Sequence, residues 1–508
     1  MSNVVEVLFT SMHYKTAFLL AFAVGIFACQ QGNAASPPNV LFIAIDDLND
    51  WTGCLAGHPQ ALTPNIDRLA QRGVLFTNAH CQAPLCGPSR ASLLTGLYPH
   101  ATGVYQQPNK DALARDENLF RGQLLPEYFA AHGYRTMAVG KITHGYSAKI
   151  AFDDYGGSFQ GFGPYPPQRE RFNYFLPDVR WTGTLTDWGA FPATNDELSD
   201  HQTADWTIDQ LKEEFDKPFF LGVGFVRPHV PFYVPQKWFD LFPAAKIHLP
   251  DVRSDDLEDI PATGRSVHEV PKYPQLDFLL ADENAQFKKC VQAYLACVAF
   301  VDHQVGRVLH ALESSPYADN TVVVLFSDHG YHLGEKDRVC KHSLWEEATR
   351  VPLCIADFRP RDRRVVAVAE KTDQPVGLID LFPTLTELCG LPRKSTNQGK
   401  SLVPLLKSPN SARLDRQGIL TTYGRGNHSI RTSRFRYIRY LDGSEELYDH
   451  QTDPNEFTNL ADRPAYAEQK QSLAELLPKH DAPYHPSTKT DPINQWFEDH
   501  FRQEGLSE

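Results

Sequence analysis

The sequence predicts an α/β fold: a mostly parallel sheet flanked by helices, with a smaller C-terminal subdomain containing an antiparallel sheet. Three observations carry that expectation. A continuous apolar run at residues 40–45 and further strand-like, mainly apolar runs at 134–139, 219–226 and 322–326 mark strands buried in a sheet. Helical patterns lie between them, the longest over 287–312, where Val291, Leu295, Val298, Val301, Val305 and Val308 recur at helical spacing. Beyond about residue 410 the pattern changes to short, turn-separated strands at 419–423, 429–432, 437–440 and 446–448.

In chain order, Asn39 begins the first run, which stops abruptly at Asp46-Asp47. Thr63-Pro64-Asn65 opens a helix that carries Ile66, Leu69 and Ala70 on one face, because proline is pre-organised for a first helical turn. Val74-Leu75-Phe76 leads into Cys86-Gly87-Pro88-Ser89-Arg90 and an apolar run ending at Thr95-Gly96. Pro88 suits the first turn of a helix there, which places Cys86 just outside its N-terminus, where backbone N–H groups favour negative charge. A helix around 124–131 precedes the second run, which leads into Gly140-Lys141 and His144. Residues 146–205, rich in Gly, Pro and aromatics, and residues 235–280 show little periodicity and read as long loops.

At 508 residues the chain exceeds one comfortable core. The boundaries expected are 1–35 for a signal peptide, 36–410 for a catalytic domain and 411–508 for the C-terminal subdomain. A net charge of −13 argues against nucleic-acid binding, which needs a basic face. Lys15, the apolar run 17–28 and Gly32-Asn33-Ala34-Ala35 have the layout of a secretion signal. That run is too short for a comfortable membrane span, so no integral membrane segment is expected and the protein is read as exported, periplasmic or extracellular. Ile26-Phe27-Ala28-Cys29 also matches a bacterial lipobox, which would leave a lipid on Cys29. Nine cysteines cannot all pair within one chain, and the spacing assigns no disulfide.

Four apolar runs end in polar, ligand-type residues: Asp46-Asp47, Lys141 with His144, His229, and Asp328-His329. The carboxyl ends of parallel strands share one edge of an open sheet, and ligands bind there. These groups should therefore converge although nearly three hundred residues separate them. Asp46, Asp47 and Asp328 are hard oxygen donors suited to Ca²⁺ or Mg²⁺, and no Cys/His set has zinc spacing. Arg90 adds a planar fork of donors that fits a tetrahedral oxyanion.

Cys86, Pro88, Arg90, Thr95 and Gly96 match the Cys-x-Pro-x-Arg…Thr-Gly signature, and in this the chain resembles the type I sulfatases. Gly140-Lys141…His144, Pro228-His229-Val230-Pro231-Phe232 and Asp328-His329-Gly330…Leu333-Gly334-Glu335 followed by Lys341 resemble the iduronate-2-sulfatase-like branch. With Asp453-Pro454-Asn455-Glu456 near the end, the resemblance runs from Asn39 to about Ala461. It implies an alkaline-phosphatase-like fold and a Cα-formylglycine nucleophile, made from Cys86 by a formylglycine-generating enzyme. It implies Ca²⁺ held by Asp46, Asp47, Asp328 and the modified Cys86, with His329 in the fourth protein position. Histidine is a less natural Ca²⁺ ligand than asparagine, so His329 either ligates or contacts the nucleophile. Lys141, His144, His229 and Lys341 would surround the sulfate, with Arg227 standing where lysine is expected before Pro-His. His229 is the first candidate to protonate the departing alcohol and Lys341 the second, while His329 or His144 would take a proton from the nucleophile. The activity implied is hydrolysis of a sulfate ester, on a sulfated carbohydrate by branch resemblance. A phosphonate or phosphate ester hydrolase of the alkaline phosphatase superfamily is the alternative enzyme, and a non-catalytic sulfated-glycan binding protein the alternative of another class.

Overall fold

The computed structural model describes residues 36–108, 122–144, 149, 151–171, 186–268, 285–488, 496–499 and 502. The expected signal segment and Cys29 lie outside the described residues, as do parts of the 146–205 and 235–280 loops.

The apolar runs form strands, and the helices between them cover the sheet. In chain order these are β1 (Asn39–Ile45), α1 (Pro64–Ala70), β2 (Gly73–Phe76), α2 (Cys86–Thr95), α3 (Leu125–Ala131), β3 (Arg135–Gly140), β4 (Asp154–Tyr155), α4 (Ser199–Gln210), β5 (Phe219–Phe225), α5 (Ala285–Glu313), β6 (Thr321–Ser327), β7 (Leu353–Asp357) and β8 (Glu370–Thr372). They assemble an 8-stranded sheet in the order β8-β2-β7-β6-β1-β5-β3-β4. β1 pairs in parallel with β5 and β6, and β3 pairs in parallel with β5 and β4. β7 runs antiparallel between β6 and β2, so the sheet is mixed but mostly parallel.

β1 shows why such a strand has no polar alternation. Leu41, Ile43 and Ile45 pack into one core with α1 and α5, while Val40, Phe42 and Ala44 pack into a second core with α2 and α3. Successive side chains point to opposite faces, so a strand covered on both sides must be apolar throughout. α5 forms where the heptad-like valines predicted it and buries Val291, Leu295, Val298, Val301 and Val305.

Three local expectations are corrected. Val74-Leu75-Phe76 is a strand and not a lead-in, completed by the antiparallel pairing with β7. α4 begins inside the region read as loop; its buried face is Ser199, Asp200, Thr203, Ala204 and Thr207, so it lacks the apolar period that sequence reading relies on. A further helix, Ala262–His268, lies within the other region read as loop.

Past residue 410, β9 (Ile419–Thr422), β10 (His428–Arg431), β11 (Phe435–Arg439) and β12 (Glu445–Asp449) form a four-stranded antiparallel sheet. Tyr437 and Leu447 pack toward α6 (Ala467–Ala474), whereas Ile438 and Tyr448 pack against Leu344 and Trp345 just beyond Lys341. Among the described residues no helix is long and apolar enough to cross a membrane.

Candidate active site

Register brings the ligand-type residues level. Ile45 stands opposite Ser327 of β6 and Phe225 of β5, and Gly140 of β3 stands opposite Gly224. The next residues of these four adjacent strands therefore leave the sheet along one edge: Asp46-Asp47, Asp328-His329, Lys141, and the turn that carries His229. A Cβ on Gly224 would lie 2.2 Å from the Lys141 carbonyl carbon, so only glycine permits this approach of β5 to the Lys141 backbone. Asp47 has φ of 61°, a left-handed conformation that a non-glycine residue adopts at a cost.

α2 delivers Cys86 to the same edge. Cys86 is the first helical residue rather than lying outside the helix; Leu85 is the N-cap, in extended conformation, and Pro88 stands within the first turn. The Cys86 Sγ lies 3.2 Å from His329 Nε2, 3.4 Å from Lys341 Nζ and 3.5 Å from Lys141 Nζ. His144 completes the ring with a hydrogen bond to the same thiol. His229 belongs to a tight group with Asp46, Asp47 and Cys86, its Nε2 3.8 Å from Asp47 Oδ2. Every residue singled out for the site is thus gathered around one sulfur.

Arg90 is one turn further along α2 and points back beneath the site. Its Nε donates to Asp328 Oδ2 at 2.8 Å and its Nη2 to Asp46 Oδ1 at 3.2 Å, while Nη1 donates to the carbonyls of Lys141 and Ile142. Lys341 donates to Asp47 Oδ1 at 2.8 Å and Lys141 donates to Asp46. Ser89 fixes the Asp328 backbone by donating its hydroxyl to the carbonyl at 2.5 Å.

The electrostatics follow from burial and neighbours. Burial opposes a thiolate at Cys86, but Lys141, Lys341 and His329, with the His144 hydrogen bond, outweigh it and hold the thiol well below its ordinary range. Burial and Cys86 also oppose ionisation of Asp46, yet Lys141, His229 and Arg90 hold that carboxyl well below the usual carboxylate range. Burial pushes Asp328 up to about 7 despite Arg90. Burial alone would lower His329, but Asp328, Cys86 and Asp47 push it up to about 9.

Asp46, Asp47 and Asp328 are buried and present hard oxygens toward Cys86. That donor set fits Ca²⁺, which prefers several carboxylate oxygens. His329 Nδ1 lies 2.9 Å from the Gly330 carbonyl, so its Nε2 faces Cys86 and Asp47, a placement compatible with either role foreseen for it.

Sequence reasoning missed a supporting layer. Arg227, which stands where lysine was expected, turns its guanidinium to backbone carbonyls, those of Tyr233 at 3.0 Å, Phe162 at 3.0 Å and His229 at 3.4 Å. Asp200 of α4 accepts the N–H groups of Val226 and Arg227 at 2.7 and 2.8 Å and so anchors the turn that carries His229. The Phe162 ring packs on the His229 imidazole with centroids 4.5 Å apart.

A mostly parallel sheet whose carboxyl edge bears buried carboxylates, cations and a nucleophilic side chain at a helix N-terminus is an alkaline-phosphatase-like fold. The phosphonate monoester hydrolase of Agrobacterium radiobacter shares this fold with a TM-score of 0.69 at 23% identity, over 86% of this chain and 94% of that one. The chain belongs to the sulfatase family, whose model matches residues 38–391, and it is a sulfuric ester hydrolase. The model described as N-sulphoglucosamine sulphohydrolase, C-terminal, matches residues 334–482. A sulfatase from Formosa agariphila is 44% identical over 480 residues, which is 92% of this chain and 93% of that protein. The iduronate 2-sulfatase of Mus musculus is 33% identical over 419 residues, 73% of this chain and 72% of that protein.

Proposed function

We propose that the protein is an exported, Ca²⁺-dependent sulfatase that removes sulfate from a sulfated carbohydrate, with Cα-formylglycine at position 86 as its nucleophile. One observation carries this reading: Cys86 Sγ lies within 3.5 Å of Lys141, Lys341 and His329, above three buried carboxylates and at a helix N-terminus. The carbohydrate assignment is supported by likeness to an enzyme named for iduronate. Export is supported by the layout of residues 1–35, with processing either by a signal peptidase or as a lipoprotein at Cys29.

Formylglycine would supply a nucleophilic oxygen at position 86, and Asp46, Asp47 and Asp328 would hold Ca²⁺, which would supply positive charge for a sulfate oxygen. The remaining work belongs to the chain's own side chains. Lys141 and Lys341 aim ammonium groups at the position where an equatorial sulfate charge has to be met. Arg90 holds Asp46 and Asp328 in place and neutralises part of their charge. His229 has its Nδ1 2.6 Å from the Val230 carbonyl, which ties up that N–H and leaves Nε2 to hand a proton to the departing alcohol. His329, tied at Nδ1 to Gly330 and pushed up to about 9, holds positive charge against position 86, while His144, which burial keeps from protonating, is the group to take a proton there.

Mass spectrometry of the Cys86 peptide, from protein co-expressed with a formylglycine-generating enzyme, tests the nucleophile. An aldehyde is expected; an intact thiol, with no sulfate released from any ester, overturns it. A panel of sulfated sugars set against 4-nitrophenyl sulfate, choline sulfate and matched phosphate esters tests the substrate class. Turnover confined to the aryl or choline sulfate refutes the carbohydrate half, and higher catalytic efficiency on the phosphate esters refutes the sulfate preference.

Chelation should lower sulfate release on the order of 100-fold, since a metal ion's charge stabilisation is worth several kcal/mol. Added Ca²⁺ should restore activity and raise the melting temperature, because an ion bound only by the folded state stabilises it. Activity unchanged after dialysis against chelator, with no calcium found by elemental analysis, would remove the metal from the reading.

A further inference from the structure

Phe162 lies in a Gly161-Phe162-Gly163 step in the loop after β4, outside the four strands that carry the site, yet its ring is part of the site wall. One edge of the site is formed by the His229 imidazole, packed in a tilted arrangement on that ring at 4.5 Å and 32° between planes. The Lys141 ammonium stands 4.8 Å from the centroid of the same ring. The ring therefore contacts two of the groups that the proposed chemistry uses, and its π-face suits a cation at each.

The backbone around Phe162 is gripped on both sides. Ser199, at the start of α4, donates its hydroxyl to the Gly161 carbonyl at 2.6 Å, and Arg227 donates to the Phe162 carbonyl at 3.0 Å. Gly161 has φ of 58°, the left-handed region, so the chain turns there as only glycine does without strain. The same α4 holds the His229 turn through Asp200. One helix and one arginine thus fix both the ring and the histidine it supports.

We infer that Phe162 is a positioning residue for the leaving-group step, holding His229 Nε2 toward the departing oxygen and Lys141 toward the sulfate. This rests on His229 being the general acid. Among the described residues, hydrogen bonding holds the Nδ1 side of His229, at Val230, while Nε2 has the longer 3.8 Å contact with Asp47. Without the ring, the imidazole keeps both but loses the packing that limits its swing between them. Arg227 then has a role that lysine could not fill: its planar fork reaches three carbonyls on two segments at once, in directions that a single ammonium cannot match.

The test is a leaving-group series of aryl sulfates, from 4-nitrophenyl sulfate to phenyl sulfate, on the mature enzyme and on F162L, F162Y and H229A. A poor leaving group needs the acid and a good one does not. His229→Ala is expected to lose activity steeply on phenyl sulfate and little on 4-nitrophenyl sulfate. Phe162→Leu should show the same steepening with a smaller loss, about tenfold in kcat on phenyl sulfate and under about twofold on 4-nitrophenyl sulfate. Phe162→Tyr, which keeps the ring, should follow the parent enzyme. Calorimetric binding of inorganic sulfate should weaken severalfold in F162L, because Lys141 loses its aromatic support. If H229A steepens the series and F162L lowers every substrate equally or leaves the slope and sulfate affinity unchanged, the inference is overturned. If H229A itself leaves the slope unchanged, the general-acid assignment fails first.

Discussion

Cys86→Ala is expected to abolish sulfate release, by more than about 10⁴-fold, while the protein stays folded. The side chain is buried but small, and what it touches is the catalytic ring: His329, Lys341, Lys141 and His144. Removing it breaks no bond between secondary-structure elements, since Lys141, Lys341 and Arg90 keep their carboxylate partners Asp46, Asp47 and Asp328. Melting temperature should therefore hardly move while product falls below detection by ion chromatography. Cys86→Ser separates nucleophile from modification. A serine offers one hydroxyl in the same ring of cations, so it can be sulfated once but has no second hydroxyl with which to expel sulfate. A Cys86→Ser peptide heavier by one sulfate, without sustained turnover, is the expected outcome. Sustained turnover by the alanine variant, above about one per cent of the parent, would remove Cys86 from the mechanism.

The site was legible because its parts follow buried parallel strands. Such strands must be apolar throughout, so the abrupt change to Asp46-Asp47, Lys141 or Asp328 stands out, and strand register brings those ends together. What stayed hidden obeys no hydrophobic period. α4 buries Asp200, whose carboxylate accepts from the distant Val226 and Arg227 N–H groups, and Thr207, whose hydroxyl is satisfied by the Thr203 carbonyl one turn back. Phe162 looks like any loop aromatic until the fold brings it to His229. Arg227 was readable as a positive charge but not as a donor spent on three carbonyls. Cys86 differs by one helical position, because Leu85 and not Cys86 takes the extended cap conformation.

Arg436→Met should produce the largest loss of stability, about 3–5 kcal/mol, by breaking a buried ion-pair network and leaving two buried carboxylates short of the charge they share. Arg436 of β11 is fully buried, and each of its five N–H groups has an acceptor. Nε donates to Glu456 and Nη2 to Glu346; Nη2 also reaches Thr349 Oγ1 at 2.9 Å, and Nη1 reaches the Leu344 carbonyl at 2.9 Å and Ser429 Oγ at 2.8 Å. Glu346 also takes Arg431 Nε at 3.0 Å, and His450 Nε2 lies 2.9 Å from Glu456. Arginine thus welds the C-terminal sheet to residues 344–349, the segment that follows Lys341. Methionine fills much of the volume but satisfies neither carboxylate. A fall in melting temperature of about 3–5 °C is expected by scanning calorimetry. The exposed Lys212–Asp209 pair provides the control: its removal should change stability by under about 0.5 kcal/mol. Adding Glu456→Gln to Arg436→Met should recover part of the loss, because one of the two stranded charges is then gone. Equal melting temperatures for Arg436→Met and the Lys212 control would show that the network carries no stability. The Arg436→Met loss should also leave the leaving-group slope intact, since the weld bears on where Lys341 is anchored and not on His229.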